Sequence, residues 1–102
     1  MSNILIVDDE KNIRRSVEMI LQNEDPTIAL AENGKEAIGV LREKKMDLVL
    51  LDLLMPEMNG IETLKQIKEI DPDTVVVMMS GHGTIENAVE AVKLGAYDFV
   101  EK

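Results

Sequence analysis

Short apolar runs, each ending at or next to a polar residue, alternate along this chain with segments of helical periodicity. Three of the runs lead into the acidic pair Asp8 and Asp9, into Asp52 and into Ser80, and the last stops one residue short of Lys102. Strands that alternate with helices favour right-handed βαβ units around a central parallel sheet. The carboxyl ends of parallel strands meet along one edge of such a sheet, where ligands bind. The pattern therefore predicts an α/β fold that brings these polar side chains together at one edge.

The predicted strands follow from the apolar runs, and the predicted helices follow from apolar stripes at helical spacing. The strands are expected at residues 4–7, 28–31, 48–51, 75–79 and 97–100. Asn33 with Glu36 predicts a capped start for the second helix, and Thr84 and Gly95 predict the start and the end of the fourth. In chain order, the residues expected to face inward from the four helices are Ile13, Val17, Ile20 and Leu21; Ala37, Ile38 and Leu41; Ile61, Leu64, Ile67 and Ile70; and Ile85, Ala88, Val89 and Val92.

The amino-acid composition limits the kinds of molecule and site that we expect for this chain. A chain of 102 residues has the size of one domain, and its 45% hydrophobic and 30% charged residues are typical of a globular fold. Lys and Arg number 11 against 20 Asp and Glu, and the net charge of −9 opposes direct contact with nucleic acid or with an anionic membrane. The absence of cysteine excludes disulfides and thiolate metal sites. No apolar stretch approaches the roughly 18 residues of a membrane span, and we expect a cytoplasmic protein.

The polar residues at the predicted strand ends suit phosphoryl chemistry. Adjacent carboxylates such as Asp8 and Asp9 are ligands that Mg²⁺ takes together with a phosphate. Asp52 can act as a nucleophile toward phosphorus and form an acyl phosphate, provided that a cation neutralises the negative charge. Ser80 offers a hydroxyl donor and Lys102 a mobile ammonium group to phosphoryl oxygens. Singly, each is also an ordinary loop or strand-end residue, and only their recurrence at several predicted strand ends indicates a site.

Two other residue types have simpler interpretations. His82 is the only histidine and lies between Gly81 and Gly83, where we expect a solvated loop side chain and not a phosphoryl relay or a base. The seven methionines are expected to fill the core, since a flexible thioether suits irregular gaps.

Four motifs carry a resemblance to a known family. The chain resembles, over its whole length, the receiver domain of bacterial two-component response regulators, on the motifs Val7-Asp-Asp-Glu10, Leu51-Asp-Leu-Leu-Met-Pro56 with Gly60, Met79-Ser-Gly-His-Gly83 and Phe99-Val-Glu-Lys102. The resemblance implies a flavodoxin-like, doubly wound five-stranded parallel sheet in the order 2-1-3-4-5. It also implies that a sensor histidine kinase is the phosphoryl donor.

The same resemblance implies roles for the site residues. Asp52 is implied to accept the phosphoryl group, with Lys102 as a further catalytic residue. Mg²⁺ is the implied cofactor, bound by Asp9, Asp52 and the backbone carbonyl of Leu54, with Asp8 acting mainly through water. The domain is implied to take part in its own phosphorylation and dephosphorylation and not to be an enzyme in its own right.

A conformational switch is also implied, in which Ser80 turns toward phosphorylated Asp52 and Phe99 repacks behind it. The change would reach the face formed by the fourth helix and the fifth strand. Contacts that the added phosphoryl group makes with Ser80 and Lys102 in only one arrangement would bias such a two-state element. For Phe99, a plain place in the core is an equally good interpretation, because aromatic residues pack in strands without any switching role.

Residues 80–99 resemble the receivers of nitrogen-regulation-type transcriptional activators, which implies a downstream output domain in a longer parent chain and control of transcription. In that family a proline and a fifth helix follow the lysine that Lys102 matches. We therefore interpret residues 1–102 as one receiver domain, truncated after its fifth strand and lacking the final helix. Formation of a homodimer is left open.

Three other functions are weighed against this one. A phosphatase that turns over an aspartyl phosphate is disfavoured, because Leu54, two residues after Asp52, is neither an acid nor a base. A nucleotide-binding module is disfavoured, because the sequence contains no GxxxxGK or GxGxxG loop. A phosphorylation-independent, flavodoxin-like interaction module stays open as the alternative.

Overall fold

The computed structural model describes residues 3–8, 10, 15, 19, 27–52, 60–80 and 85–101, with the side chains of residues 80, 85–88 and 101 outside the described part. Five strands and three helices lie in this part of the chain. The strands are β1 (Asn3–Val7), β2 (Thr27–Ala31), β3 (Leu48–Asp52), β4 (Val75–Ser80) and β5 (Asp98–Glu101). The helices are α1 (Gly34–Glu43), α2 (Gly60–Ile70) and α3 (Ile85–Lys93), which correspond to the second, third and fourth predicted helices.

The strands form one parallel sheet in the order β2-β1-β3-β4-β5. The predicted fold class and strand order are therefore confirmed. The order follows from the sequence of crossovers: each parallel pair needs a connection that crosses the sheet, and right-handed crossovers place helices against its faces. In β1, which has a neighbouring strand on each side, the four successive residues Ile4, Leu5, Ile6 and Val7 are all buried. This continuous burial is typical of a strand covered on both faces.

Strand boundaries differ from the prediction by about one residue. Asp52 and Ser80 are the last residues of β3 and β4, not the first residues beyond them. β5 begins at Asp98 and not at Tyr97, because Asp98 is the first residue in register with β4, opposite Val77. The consequence for function is small, since Asp52 and Ser80 still lie at the carboxyl ends of their strands.

The start of α1 matches the predicted cap. Asn33 has extended backbone and its side chain accepts a hydrogen bond from the backbone N–H of Glu36, at 2.9 Å. This bond satisfies one of the N–H groups that a helix leaves without an intrahelical partner. The predicted inward residues Ala37, Ile38 and Leu41 are all buried.

The end of α3 is a Schellman motif centred on Gly95. The N–H of Ala96 donates to the carbonyl of Ala91 at 3.0 Å, and the N–H of Gly95 donates to the carbonyl of Val92 at 3.1 Å. Gly95 has a φ of 112°, a conformation that residues with a Cβ rarely adopt. The predicted C-terminal signal of this helix is thereby confirmed.

The predicted inward face of α3 is wrong for two valines. Val89 and Val92 are 48% and 53% exposed, whereas Ala91 is fully buried. Successive residues of an α-helix are about 100° apart, so a helix that buries Ala91 turns Val89 to nearly the opposite side and Val92 well away from the sheet. A small alanine at the contact lets the helix approach closely, and the larger valines then remain at the surface.

The core lies between the sheet and the helices. α1 packs against β1, β2 and α2, while α2 also contacts β3 and α3 contacts β5. As predicted for the third helix, Leu64 and Ile67 are fully buried, and Ile61 and Ile70 pack against the core while partly exposed. The prediction that the methionines fill the core is confirmed for Met46, Met78 and Met79, which are buried, and is wrong for Met19, which is 69% exposed. The other three methionines lie outside the described residues.

Of the first predicted helix, the structure describes Arg15 and Met19, both helical and both exposed. Its predicted inward residues lie outside the described residues, as does Thr84. Within the described part of the chain, no helix is long and apolar enough to cross a membrane.

Candidate functional site

Asp8 follows β1 directly and its carboxylate is completely buried. Its backbone N–H donates to the carbonyl of Ala31 at 3.1 Å, which ties it to the end of β2. Its Oδ1 accepts a hydrogen bond from the backbone N–H of Glu10 at 2.9 Å. These two bonds fix the carboxylate at the carboxyl edge of the sheet.

Asp52 is the last residue of β3 and is only 3% exposed. β1 and β3 are neighbours, with Val7 opposite Leu51, so the next residue on each strand is an aspartate. Adjacent parallel strands lie about 4.8 Å apart. The sheet register therefore places Asp8 and Asp52 next to each other, as the sequence predicts.

Two buried carboxylates at neighbouring strand ends repel each other. For unit charges about 5 Å apart, the Coulomb energy is about 3 kcal/mol at an effective dielectric constant of about 20. A bound divalent cation would offset this repulsion, and a hard cation such as Mg²⁺ prefers carboxylate oxygens. The buried pair thus fits a Mg²⁺ site. Among the described residues there is no cluster of three or more potential acidic, histidine or cysteine ligands, and the predicted ligands Asp9 and Leu54 lie outside them.

Ser80 ends β4 at the same edge. Asp52 lies opposite Met79 in the register of β3 and β4, so Ser80 is one residue further along the neighbouring strand. The structure describes its backbone, and the predicted orientation of its hydroxyl remains a prediction. Lys102 and His82 lie outside the described residues, and their predicted roles likewise remain predictions.

Phe99 lies in β5, opposite Met78 of β4. It is partly buried and packs against the core cluster, so both predicted interpretations, a core aromatic and a switching aromatic, are compatible with its place. Its backbone N–H donates to the side chain of Asp98 at 2.7 Å.

An open groove of about 400 Å³ lies between α3 and β5. Val89 and Val92 line it from the helix, and Phe99 lines it from the strand. Tyr97, directly before this strand, is 77% exposed. The groove thus presents apolar side chains at the surface, on the helix and strand that the resemblance implies as the responsive face. We name it the α3–β5 groove.

Sequence reasoning missed two features of these regions. The backbone N–H of Glu10, which holds the Asp8 carboxylate, is an Asx-type turn contact that the spacing of an aspartate and the residue two positions on can suggest. The exposure of Val89 and Val92 leaves no local signal, because a helix with valines on two sides has two candidate inward faces.

Comparison with known proteins assigns the family. The model of the response regulator receiver domain family matches residues 4–102. The chain is 44% identical over 102 residues to a putative response regulator NtrX-like protein of Rickettsia bellii (strain RML369-C), covering 98% of this chain and 21% of the relative. It is 43% identical over 100 residues to the transcriptional regulatory protein ZraR of Klebsiella oxytoca, covering 98% of this chain and 23% of that protein. The chain thus spans about a fifth of the length of these curated relatives.

A solved structure is similar in both fold and sequence. The solution structure of the beryllofluoride-activated NtrC4 receiver domain dimer superposes with a TM-score of 0.94 at 39% identity, covering 100% of this chain and 84% of that one. The relatives and this neighbour carry names of NtrC-type regulators, as the resemblance of residues 80–99 predicts. From the buried aspartates, the strand order and these matches, we conclude that the chain belongs to the response regulator receiver domain family.

Proposed function

We propose that this domain is a phosphorylation-controlled signalling switch that accepts a phosphoryl group on Asp52 from a sensor histidine kinase. The observation that carries the proposal is the buried pair of Asp8 and Asp52 at neighbouring strand ends of a receiver fold. Burying two neighbouring carboxylates costs free energy, and the binding of a cation and a phosphoryl group would account for their placement.

The proposed reaction is a phosphoryl transfer. A carboxylate oxygen of Asp52 attacks phosphorus, the bond between phosphorus and the imidazole nitrogen of the kinase breaks, and its electron pair stays on the imidazole. The product is an acyl phosphate. Asp9, Asp52 and the backbone carbonyl of Leu54 would hold Mg²⁺, with Asp8 acting mainly through water, and the bound cation would supply positive charge that offsets the crowding of anionic oxygens. The proposal treats the domain as a phosphoacceptor and not as an enzyme that turns over substrates.

Two donors complete the proposed site. The Ser80 hydroxyl and the Lys102 ammonium group donate hydrogen bonds to phosphoryl oxygens, and these bonds exist only in the phosphorylated state. Differential contacts of this kind bias a two-state element. Phe99, which follows the motion of Ser80, repacks between the core and the α3–β5 groove.

The proposed output is control of transcription through a downstream domain of a longer parent chain. ZraR is named a transcriptional regulatory protein, and the NtrC4 receiver is described as a dimer, which supports both an output domain and homodimer formation for this chain. The apolar α3–β5 groove is the surface that changes. Its exposed valines make it suited to contact a protein and not nucleic acid, which the net charge of −9 opposes.

The test is phosphorylation by a small donor. We expect one added phosphoryl group by intact mass after incubation with acetyl phosphate and Mg²⁺. The group should be absent after chelation with EDTA and absent in the Asp52→Asn variant. Asp47→Asn is the matched control. Asp47 is an exposed aspartate that directly precedes β3, at the opposite end of the strand from Asp52, and its substitution should leave the reaction unchanged.

The opposite results are as informative. A folded protein that takes up no phosphoryl group, or an Asp52→Asn variant that takes up as much as the unmodified chain, would contradict the proposal. Steady release of phosphate from many different phosphate esters would indicate a phosphatase.

The phosphorylation-independent interaction module is the second candidate, favoured by the exposed apolar side chains of the α3–β5 groove. The two candidates differ in one measurement. Association through this groove that is equal with and without beryllofluoride, in sedimentation of the unmodified chain and of Asp52→Asn, would favour the interaction module.

A further inference from the structure

Lys68 makes contacts that no part of the proposed phosphoryl chemistry uses. It lies in the last turn of α2 and is partly buried. Its Nζ donates to the carbonyl of Thr74 at 2.6 Å and to the carbonyl of Pro72 at 3.3 Å. Both acceptors belong to the loop between α2 and β4. The ammonium group therefore fixes the long side chain in one direction, across the amino edge of the sheet.

The aliphatic part of the same side chain lies against the turn between α3 and β5. A Cβ placed on Gly95 would be 3.2 Å from Cε, 3.3 Å from Cγ and 3.4 Å from Cδ of Lys68. These distances are tighter than most contacts of a real Cβ. Gly95 therefore serves two purposes, because it allows the positive φ of the Schellman motif and also gives the lysine chain room to pass.

The turn is held to the sheet as well as to the helix. The N–H groups of Gly95 and Ala96 donate to carbonyls of α3, and the N–H of Tyr97 donates to the carbonyl of Val76 in β4 at 2.7 Å. Lys68 packs across this set of bonds from a third element. Three parts of the chain that are distant in sequence thus meet at one point.

The contact between Lys68 and the α3–β5 turn lies at the amino edge of the sheet, opposite the proposed phosphorylation site at the carboxyl edge. β4 ends at Ser80, at the carboxyl edge, and α3 begins five residues later at Ile85 and returns toward the amino edge. Nine helical residues span about 13 Å. One end of α3 is therefore near the site, and the other end is at the contact with Lys68.

We propose that Lys68 is a positioning residue that clamps the α3–β5 turn (residues 94–96) to the α2–β4 loop (residues 71–74), so that α3 is anchored at its carboxyl end and responds to phosphorylation at its amino end. The clamp itself does not depend on the proposed function. The second half, the direction of the response, rests on it.

Three variants separate the ammonium group from the general stability of the fold. Lys68→Met keeps an unbranched chain beside Gly95 and removes the donor to Thr74. Lys68→Arg restores donors at the same place. Lys65→Met is the control, because Lys65 is an exposed lysine one turn earlier on the same helix.

The first readout is amide hydrogen exchange by NMR on the unmodified domain and the three variants. In Lys68→Met we expect exchange at Gly95, Ala96 and Tyr97 to accelerate by about three- to tenfold, the effect of losing one hydrogen bond. Exchange at Leu5 and Val49 in the core should not change. Lys65→Met should match the unmodified domain, and Lys68→Arg should recover protection. Unchanged exchange at the turn, or equal acceleration at the turn and in the core, would overturn the clamp.

The second readout is the fluorescence of Tyr97, which is the only tyrosine in a chain without tryptophan. On addition of beryllofluoride and Mg²⁺, we expect a larger change in Lys68→Met than in Lys65→Met, since an unclamped helix transmits the movement to the turn. Equal changes would overturn the proposed direction of the response. Intact mass after acetyl phosphate is measured on the same samples. If no variant and no unmodified sample takes up phosphate, the proposed function fails, while the exchange data still decide whether the clamp exists.

Discussion

The two edges of the sheet hold their polar side chains in different environments. At the amino edge, the backbone N–H of Asn3 donates to Oδ2 of Asp47 at 2.8 Å, and the Asn3 side chain donates to the carbonyl of Lys45 at 3.2 Å. The Thr74 hydroxyl donates to the buried carbonyl of Met46 at 3.1 Å. At the carboxyl edge, by contrast, the carboxylates of Asp8 and Asp52 are buried at neighbouring strand ends.

The difference shows what distinguishes a site from a structural end of a sheet. Acids occur at both edges, so an acid at a strand end does not by itself indicate function. Asp47 is exposed to solvent and its side chain accepts a backbone N–H, so its place at the surface needs no bound cation. Two like charges buried together reduce stability unless opposite charges, hydrogen-bond donors or a bound cation offset their repulsion. The burial of two acidic side chains beside each other therefore distinguishes the carboxyl edge as the candidate site.

We expect the largest effect from a substitution that breaks the pair of Asp8 and Asp52 at the carboxyl edge. In Asp8→Asn we expect the free energy of unfolding, measured by urea denaturation in EDTA, to rise by about 1–3 kcal/mol, because one of two repelling charges is removed. The stabilisation of the unmodified domain by Mg²⁺ should largely disappear in this variant. Asp47→Asn keeps a side-chain oxygen that can accept the Asn3 N–H, and it should neither raise the free energy of unfolding nor reduce the stabilisation by Mg²⁺. An Asp8→Asn protein that is less stable in EDTA than the unmodified domain would contradict the comparison.

An effect of similar size and opposite sign is expected at the amino edge. In Thr74→Val we expect a loss of about 1–3 kcal/mol in the free energy of unfolding, because the carbonyl of Met46 is left buried without its hydrogen bond. Thr74→Ser keeps the hydroxyl and should lose less. Phosphorylation by acetyl phosphate should be unchanged in both variants, provided that they are measured well below their unfolding midpoints. A loss of Mg²⁺-dependent phosphorylation in Thr74→Val would mean that the two edges are not independent.

The smallest effect is a pH dependence at the amino edge. The backbone N–H of Asp73 donates to Oδ1 of Asp71 at 3.0 Å, and this bond is the main cause that lowers the pKa of Asp71 below its ordinary value of 3.8. A lowered folded-state pKa stabilises the fold above the unfolded pKa, and this stabilisation is lost as the pH falls through the folded pKa. In Asp71→Asn, urea midpoints should therefore decline less steeply below about pH 4 than in the unmodified domain. Urea midpoints that decline equally steeply with falling pH in the two proteins would argue against this contribution of Asp71.

Local patterns in the sequence were sufficient for most of the fold. Continuous apolar runs gave the five strands to within about one residue, because a strand covered on both faces needs apolar side chains at every position. The cap at Asn33 and the end at Gly95 were predictable for a similar reason, since each depends on backbone conformation and on hydrogen bonds within a few residues. The inward face of α3 was not predictable, because Ala91 and the two valines offer competing contacts and packing against β5 selects between them.

By itself, the sequence determined which residues end the strands, and hence that Asp8, Asp52 and Ser80 share one edge of a parallel sheet. Only the tertiary structure decided that Asp8 and Asp52 are buried beside each other, because burial depends on the strands and loops that surround a residue and not on its own neighbours in the chain. The same holds for Lys68 and Gly95, which are far apart in sequence and meet only because α2 and the end of α3 reach the amino edge together. Local hydrogen bonds and periodicity depend on short segments of sequence, whereas the environment of a side chain depends on packing between segments that are distant in the chain.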